Sequence, residues 1–174
     1  NLRGNQEIIL PGFVTWRSRR NYRSPESIAR FAQAVLPFDI DPMNELPGLG
    51  VGVHAYEQPD IVRKIVLDLM RRGFAQEQIV LVSMRGIHSS GFSALERIGT
   101  VPLRRFTGEY YGPRQVMTPG RLRFETINRF KGQEAPAVIL VDVDPSGEGE
   151  RLARAEKLLW CGITRATVRL DVVA

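Results

Sequence analysis

The chain has one cysteine and two histidines in 174 residues, and each scarcity closes off a class of function. Cys161 has no second cysteine for an internal disulfide or for a zinc site, and beside Leu158, Leu159 and Trp160 it reads as a small core residue rather than a nucleophile. His54 and His88 are too few and too separated for a metal cluster, and His54, in an expected strand, reads as a structural histidine. No apolar run is long enough to cross a bilayer and no signal-peptide pattern opens the chain, so a cytoplasmic protein without membrane contact is expected. Also missing are a Gly-x-x-x-x-Gly-Lys-Ser/Thr phosphate loop and an Asp-Glu pair ending an apolar strand. The Gly-rich "GLGVG" at 48–52 is not such a loop, because it leads into a strand rather than a helix.

What is present describes an ordinary globular chain, 43% hydrophobic and 25% charged, long enough to bury a core as one domain. It opens on Asn1 without a visible domain start, and the expectation is a fragment of a larger chain. The formal charge of +5 suits a polyanionic partner. Lys64, Lys131 and Lys157 are the only lysines, so the positive charge is almost all arginine, whose planar fork matches phosphate.

Periodicity gives an α/β order. Short apolar segments at Ile8–Leu10 and Phe13–Trp16 precede a basic, aromatic stretch from Arg17 to Arg23. That stretch lies just ahead of an expected helix capped by Ser24, with Pro25 first, Glu26 in the first turn, and Ile28, Phe31, Ala32, Val35 and Leu36 on its core face. A loop at 38–50 leads to a strand at Val51–Tyr56, then to a helix at Ile61–Arg72 capped by Asp60, with Ile61, Ile65, Leu69 and Met70 inward and Gly73 at its end. Ile79–Val82 reads as a buried strand, and 83–99 as a polar loop followed by a short helix. Val101–Gly120 is irregular, with a strand at Leu103–Phe106. Tyr110, Tyr111 and Arg114 stand in a turn, where the tyrosines suit base stacking and packing over a sheet edge equally.

The centre of the sequence is Arg123 to Asp144. Phe124, Thr126 and Asn128 alternate as a half-buried strand would, and Ala137–Val143 is a run to be covered on both faces. Between them Gly132 lets the backbone turn tightly, so that Lys131 and Glu134 project at a ligand. The last unit is a helix with Glu148 and Glu150 near its start, Leu152, Ala155, Leu158 and Leu159 as its stripe and Arg165 near its end, followed by a strand at Thr167–Val173.

Three stretches carry a resemblance to the UvrD/Rep-type superfamily I helicases. Asn21-Tyr22-Arg23-Ser24 is similar to their motif N-Y-R-S at the head of a helix. Thr126, Lys131, Gly132 and Glu134 match T-x-H-x-x-K-G-x-E, with Asn128 where the family has histidine. Gly162, Thr164, Arg165 and Ala166 resemble V-A-x-T-R-A, with Cys161 and Gly162 where the family often has Val and Ala. The resemblance implies the second, C-terminal RecA-like motor domain of such a helicase: an α/β, P-loop NTPase fold, mainly parallel sheet with helices on both faces, lacking its own phosphate loop. There is no room for the large domain many relatives insert before the central stretch.

It implies further that ATP with Mg2+ is the cofactor, with the metal ligands supplied by an N-terminal RecA-like domain outside this chain, and that this fragment alone does not hydrolyse ATP. Arg23 and Arg165 would be the arginine fingers, Tyr22 would pack on the base, Glu134 would hold the ribose, and Lys131 and Gly132 would line the nucleotide. Thr126 and Asn128 would meet the backbone of single-stranded DNA, the expected partner, and Arg85, His88, Ser89 and Ser90 lie near the same track. A non-catalytic binding module with a helicase-like fold, and an RNA-directed superfamily I helicase, remain open beside this reading.

Overall fold

The computed structural model of the chain describes residues 20–37, 39–56, 60–144 and 146–174. The segments read at Ile8–Leu10, at Phe13–Trp16 and at Arg17–Arg19 lie outside the described residues. In chain order the elements are β1 (Arg20–Asn21), α1 (Glu26–Val35), β2 (Asp41–Pro42), β3 (Val51–His54), α2 (Ile61–Arg71), β4 (Ile79–Ser83), β5 (Arg97–Ile98) and β6 (Val101–Arg104). There follow β7 (Phe106–Tyr111), β8 (Arg114–Met117), β9 (Leu122–Thr126), α3 (Ile127–Phe130), β10 (Ala135–Val141), α4 (Gly149–Ile163) and β11 (Ala166–Val173).

Strand β10 carries almost no group that needs water, so it is stable only with neighbours on both edges and a layer on each face. It lies inside a seven-stranded sheet ordered β3-β11-β10-β4-β9-β6-β5, parallel throughout except for the antiparallel pair β5 and β6. Val138 sits level with Val80 of β4 on one side and Leu170 of β11 on the other. The twofold alternation of strand side chains then sorts the core into two layers. Ile79, Leu81 and Ile139 face α2 through Ile65, Val66 and Leu69. Val80, Val82 and Leu140 face α1, α3 and α4 through Ile28, Phe130 and Ile163. Each such side chain, fully withdrawn from water, contributes about 1.5–3 kcal/mol. The fold is thus the α/β architecture read from the sequence, a mostly parallel sheet flanked by helices.

Local signals hold at some termini and not at others. After α2, Gly73 takes φ +96°, its N–H reaches the carbonyl of Met70, and the N–H of Phe74 reaches Leu69. That is the double bond pattern of a left-handed helix end. Ser24 does not cap α1: its hydroxyl is buried without a hydrogen-bond partner, and Pro25, whose carbonyl accepts from Ile28 and Ala29, occupies the capping position. Asp60 occupies the capping position of α2 with no side-chain cap bond, because Arg63 engages its carboxylate through both oxygens. Val35, read as core, is exposed.

Three other expectations are corrected. The loop at 38–50 contains β2, which pairs in parallel with β1. No short helix follows the 83–99 loop; turns run to β5 instead. The irregular region is an antiparallel hairpin, β7 and β8, whose strands are largely exposed on both faces and so show no alternation of polarity. Gly120, just before β9, lies so close to β6 that an added Cβ would stand 2.3 Å from the carbonyl carbon of Leu103. Gly120→Ala is therefore expected to push these strands apart and lower stability by about 1–3 kcal/mol, read as a lower urea midpoint; an unchanged midpoint would remove the close approach as a constraint. Among the described residues no helix is long and apolar enough to cross a membrane.

Candidate nucleotide and nucleic-acid edges of the sheet

A parallel sheet has two distinct edges, and the connection at each strand end decides which edge a residue reaches. Glu134 directly precedes β10 and Arg165 directly precedes β11, so both stand at the N-terminal ends of adjacent strands. The two are stitched by the backbone bond from Ala135 N–H to the carbonyl of Arg165 at 3.1 Å. The Arg165 guanidinium folds back over this corner, donating from Nε to the carbonyl of Cys161 at 3.0 Å and from an NH group to that of Gln133 at 3.3 Å.

Arg23 arrives from the other end of the sequence. The Asn21 side-chain carbonyl accepts from the N–H groups of Arg23 and Ser24 at 2.9 and 3.1 Å, a local turn that fixes the segment ahead of α1. Arg23 Nε then meets Glu134 at 2.7 Å, with both side chains substantially in solvent. Such an exposed ion pair contributes about 0–1 kcal/mol, so it marks proximity more than strength. Tyr22, the residue before Arg23, is 63% exposed. Arg23, Glu134 and Arg165 therefore meet around residues 133–134.

The turn between α3 and β10 is held from below. Phe130 is wholly buried, the N–H of Gln133 reaches its carbonyl at 3.0 Å, and Arg123 donates to the Gln133 side chain at 2.7 Å. Gly132 has φ +84° with no atom within 4 Å of where a Cβ would stand, so glycine is needed there for backbone conformation and not for space. Lys131 is exposed. Asn128 is not on a strand: β9 ends at Thr126, and Asn128 lies exposed on the single turn α3.

The opposite, C-terminal edge gathers the ends of β4, β9 and β10. Asp142, just past β10, takes φ +56°, an uncommon backbone state outside glycine, and one oxygen of its carboxylate accepts from the hydroxyls of Ser83 and Ser90, both at 2.6 Å. Ser90 is thus turned inward and occupied as a strut for the 84–90 loop rather than open to a phosphate. Thr126 is likewise buried, level with Ser83 in the sheet. His88, Ser89 and Arg85 are exposed on that loop. Arg85 lies 3.8 Å from Asp144, whose carboxyl is held below the usual carboxylate range by the hydroxyl and backbone N–H of Ser146, with Arg151 and Arg85 adding to the effect. His88 and Thr126 line one cleft of about 320 Å³ with Arg105 and Phe106 at the base of the hairpin.

Two features had no mark in the sequence reading. Asp142 is one, its role visible only once Ser83 and Ser90 converge on it. The other is Glu125, a buried carboxylate 3.1 Å from Arg129 and 3.7 Å from Arg123; Arg129 also donates to Gln115 at 2.8 Å and lies over the Phe106 ring at 4.3 Å. Placement of Glu and Arg four residues apart across a strand-to-helix junction was the available signal. Among the described residues no three His, Cys, Asp or Glu side chains group as a metal site.

Residues 122–173, which include the Lys131–Glu134 turn and Arg165, match the family model of the UvrD-like helicase C-terminal domain. No curated protein matches the chain. Among solved structures it is similar to the C-terminal domain of a possible DNA helicase from Lactobacillus plantarum WCFS1, with a TM-score of 0.56 and 20% identity over 88% of this chain and 86% of that one. At that identity the likeness is one of fold. The chain is therefore similar to the UvrD-like helicase C-terminal domain in sequence from β9 to β11, and similar in fold across most of its length to the C-terminal domain of a possible DNA helicase.

Proposed function

We propose that the chain is the C-terminal motor domain of an ATP-dependent superfamily I DNA helicase or translocase, completing an ATP site with Arg23 and Arg165 and contacting single-stranded DNA along the opposite edge of its sheet. The observation that carries the reading is the 2.7 Å pair of Arg23 with Glu134 beside Arg165, which joins all three family-like stretches at one corner. The donor set fits ATP: two guanidinium groups for phosphate, an exposed ring at Tyr22 for a base, and a carboxylate at Glu134 for ribose hydroxyls. ATP with Mg2+ supplies the phosphoryl group, and the phosphate loop and metal ligands belong to an N-terminal RecA-like domain.

In this reading Arg23 and Arg165 meet the negative charge of the transferring phosphoryl group. Because the Arg23–Glu134 pair is exposed and weak, a phosphate can take the guanidinium at little cost and leave Glu134 to the ribose. Lys131 adds a further positive charge on the same turn. Closure and reopening of the cleft between the two domains then moves the nucleic acid held near Arg85, His88, Ser89, Thr126 and Asn128. Single-stranded DNA added to the full-length protein should raise its ATPase rate. No response to DNA or RNA contradicts the motor reading, and a response to RNA alone makes the motor RNA-directed.

A further inference from the structure

We propose that the β7–β8 hairpin is a base-stacking arm that extends the single-stranded nucleic-acid track beyond the sheet edge, with Tyr110 and Tyr111 as its stacking faces. The proposal rests on the motor-domain reading and adds to it a surface whose rings lie outside the three family-like stretches. Large aromatic rings left in water need a reason, and here two adjacent ones are 61% and 84% exposed. Tyr110 is braced edge-on against Phe106, with ring centroids 5.2 Å apart at 68°. Tyr111 is paired across the hairpin with Arg114, so the two residues share one face of the arm. Neighbouring strand residues face opposite ways, so one arm offers a ring on each side.

Charge names the occupant. The hairpin and the residues at its base carry Arg104, Arg105, Arg114 and Arg129, against Glu109 and Glu125, and Glu125 is already bridged by Arg123 and Arg129. The excess favours a polyanion, and flat rings interleaved with arginine favour one with bases rather than an acidic peptide. The hairpin is also joined to the rest of the track. Its first residues share the 320 Å³ cleft with His88 and Thr126, and Arg129 of α3 clasps Phe106 and Gln115 two residues before Lys131. Arg105 faces that cleft with its Nε unpartnered.

The test is the affinity of the full-length protein for fluorescein-labelled oligothymidylate and for oligouridylate of the same length, read by fluorescence anisotropy. Tyr110→Ala combined with Tyr111→Ala should weaken binding of at least one of them about 10-fold or more, since each stacked base is sensitive to loss of its ring, while the corresponding Tyr→Phe pair should bind like the parent. Which oligonucleotide responds tells DNA from RNA. Binding unchanged by the double alanine substitution overturns the proposal, as does a parent protein that binds neither oligonucleotide. The assay needs no turnover, so loss of stacking with an inert Arg165 would leave this surface standing and the nucleotide corner refuted, and the reverse pattern would do the opposite.

Discussion

Arg165→Ala in the full-length protein is expected to lower ATP turnover by about 10³-fold or more while leaving ATP binding close to that of the parent. A guanidinium aimed at charge that develops on the transferring phosphoryl group acts more on the transition state than on the bound ground state, so its loss falls on kcat and little on KM. The fold should survive. Arg165 makes its side-chain contacts to two backbone carbonyls, whereas the bond that ties the N-terminal ends of β10 and β11 uses its own carbonyl, which alanine keeps. Arg165→Lys should restore little, because a point charge cannot reproduce the planar fork. Turnover unchanged in the alanine variant would refute the role.

Phe130→Ala should be the most damaging single change to stability near the site, at about 3–5 kcal/mol, seen as a large fall in the urea midpoint with an unchanged slope. The ring is fully buried against Ile28, Val80 and Ile163 beneath the very turn that carries Lys131 and Glu134, and Arg123 lies over it at 5.5 Å. Removing it opens a cavity under that turn, so nucleotide affinity should fall with stability. Lys131→Ala, one residue along but exposed, should stay within about 0.5 kcal/mol of the parent. Equal stability of the two variants would contradict the view that the turn is positioned from the core.

Elements with one buried face or none exposed were legible: β10 and β4 as unbroken apolar runs, α1 and α2 as helical stripes, and Gly73 as a helix end. The hairpin was not, because strands in water on both faces lose the alternation that announces a strand. Ser24 satisfied the local rule for a cap, but burial of the segment gave the position to Pro25. Asn128 continued an apparent alternation past Thr126, where the chain had already turned into α3. At the site, the family resemblance singled out Arg23, Glu134 and Arg165, but only folding brings the first to the other two. Asp142 acts through Ser83 and Ser90, far away in sequence, which no window along the chain contains, whereas Glu125 meets Arg129 only four residues on but across an element boundary.

The decisive measurement is a structure of the full-length protein with a non-hydrolysable ATP analogue and Mg2+. The account predicts that Arg23 leaves Glu134 and, with Arg165, bonds the terminal phosphate, while Glu134 turns to the ribose and Tyr22 to the base. An analogue bound elsewhere, with Arg23 still paired to Glu134 and Arg165 still on its carbonyls, would contradict it.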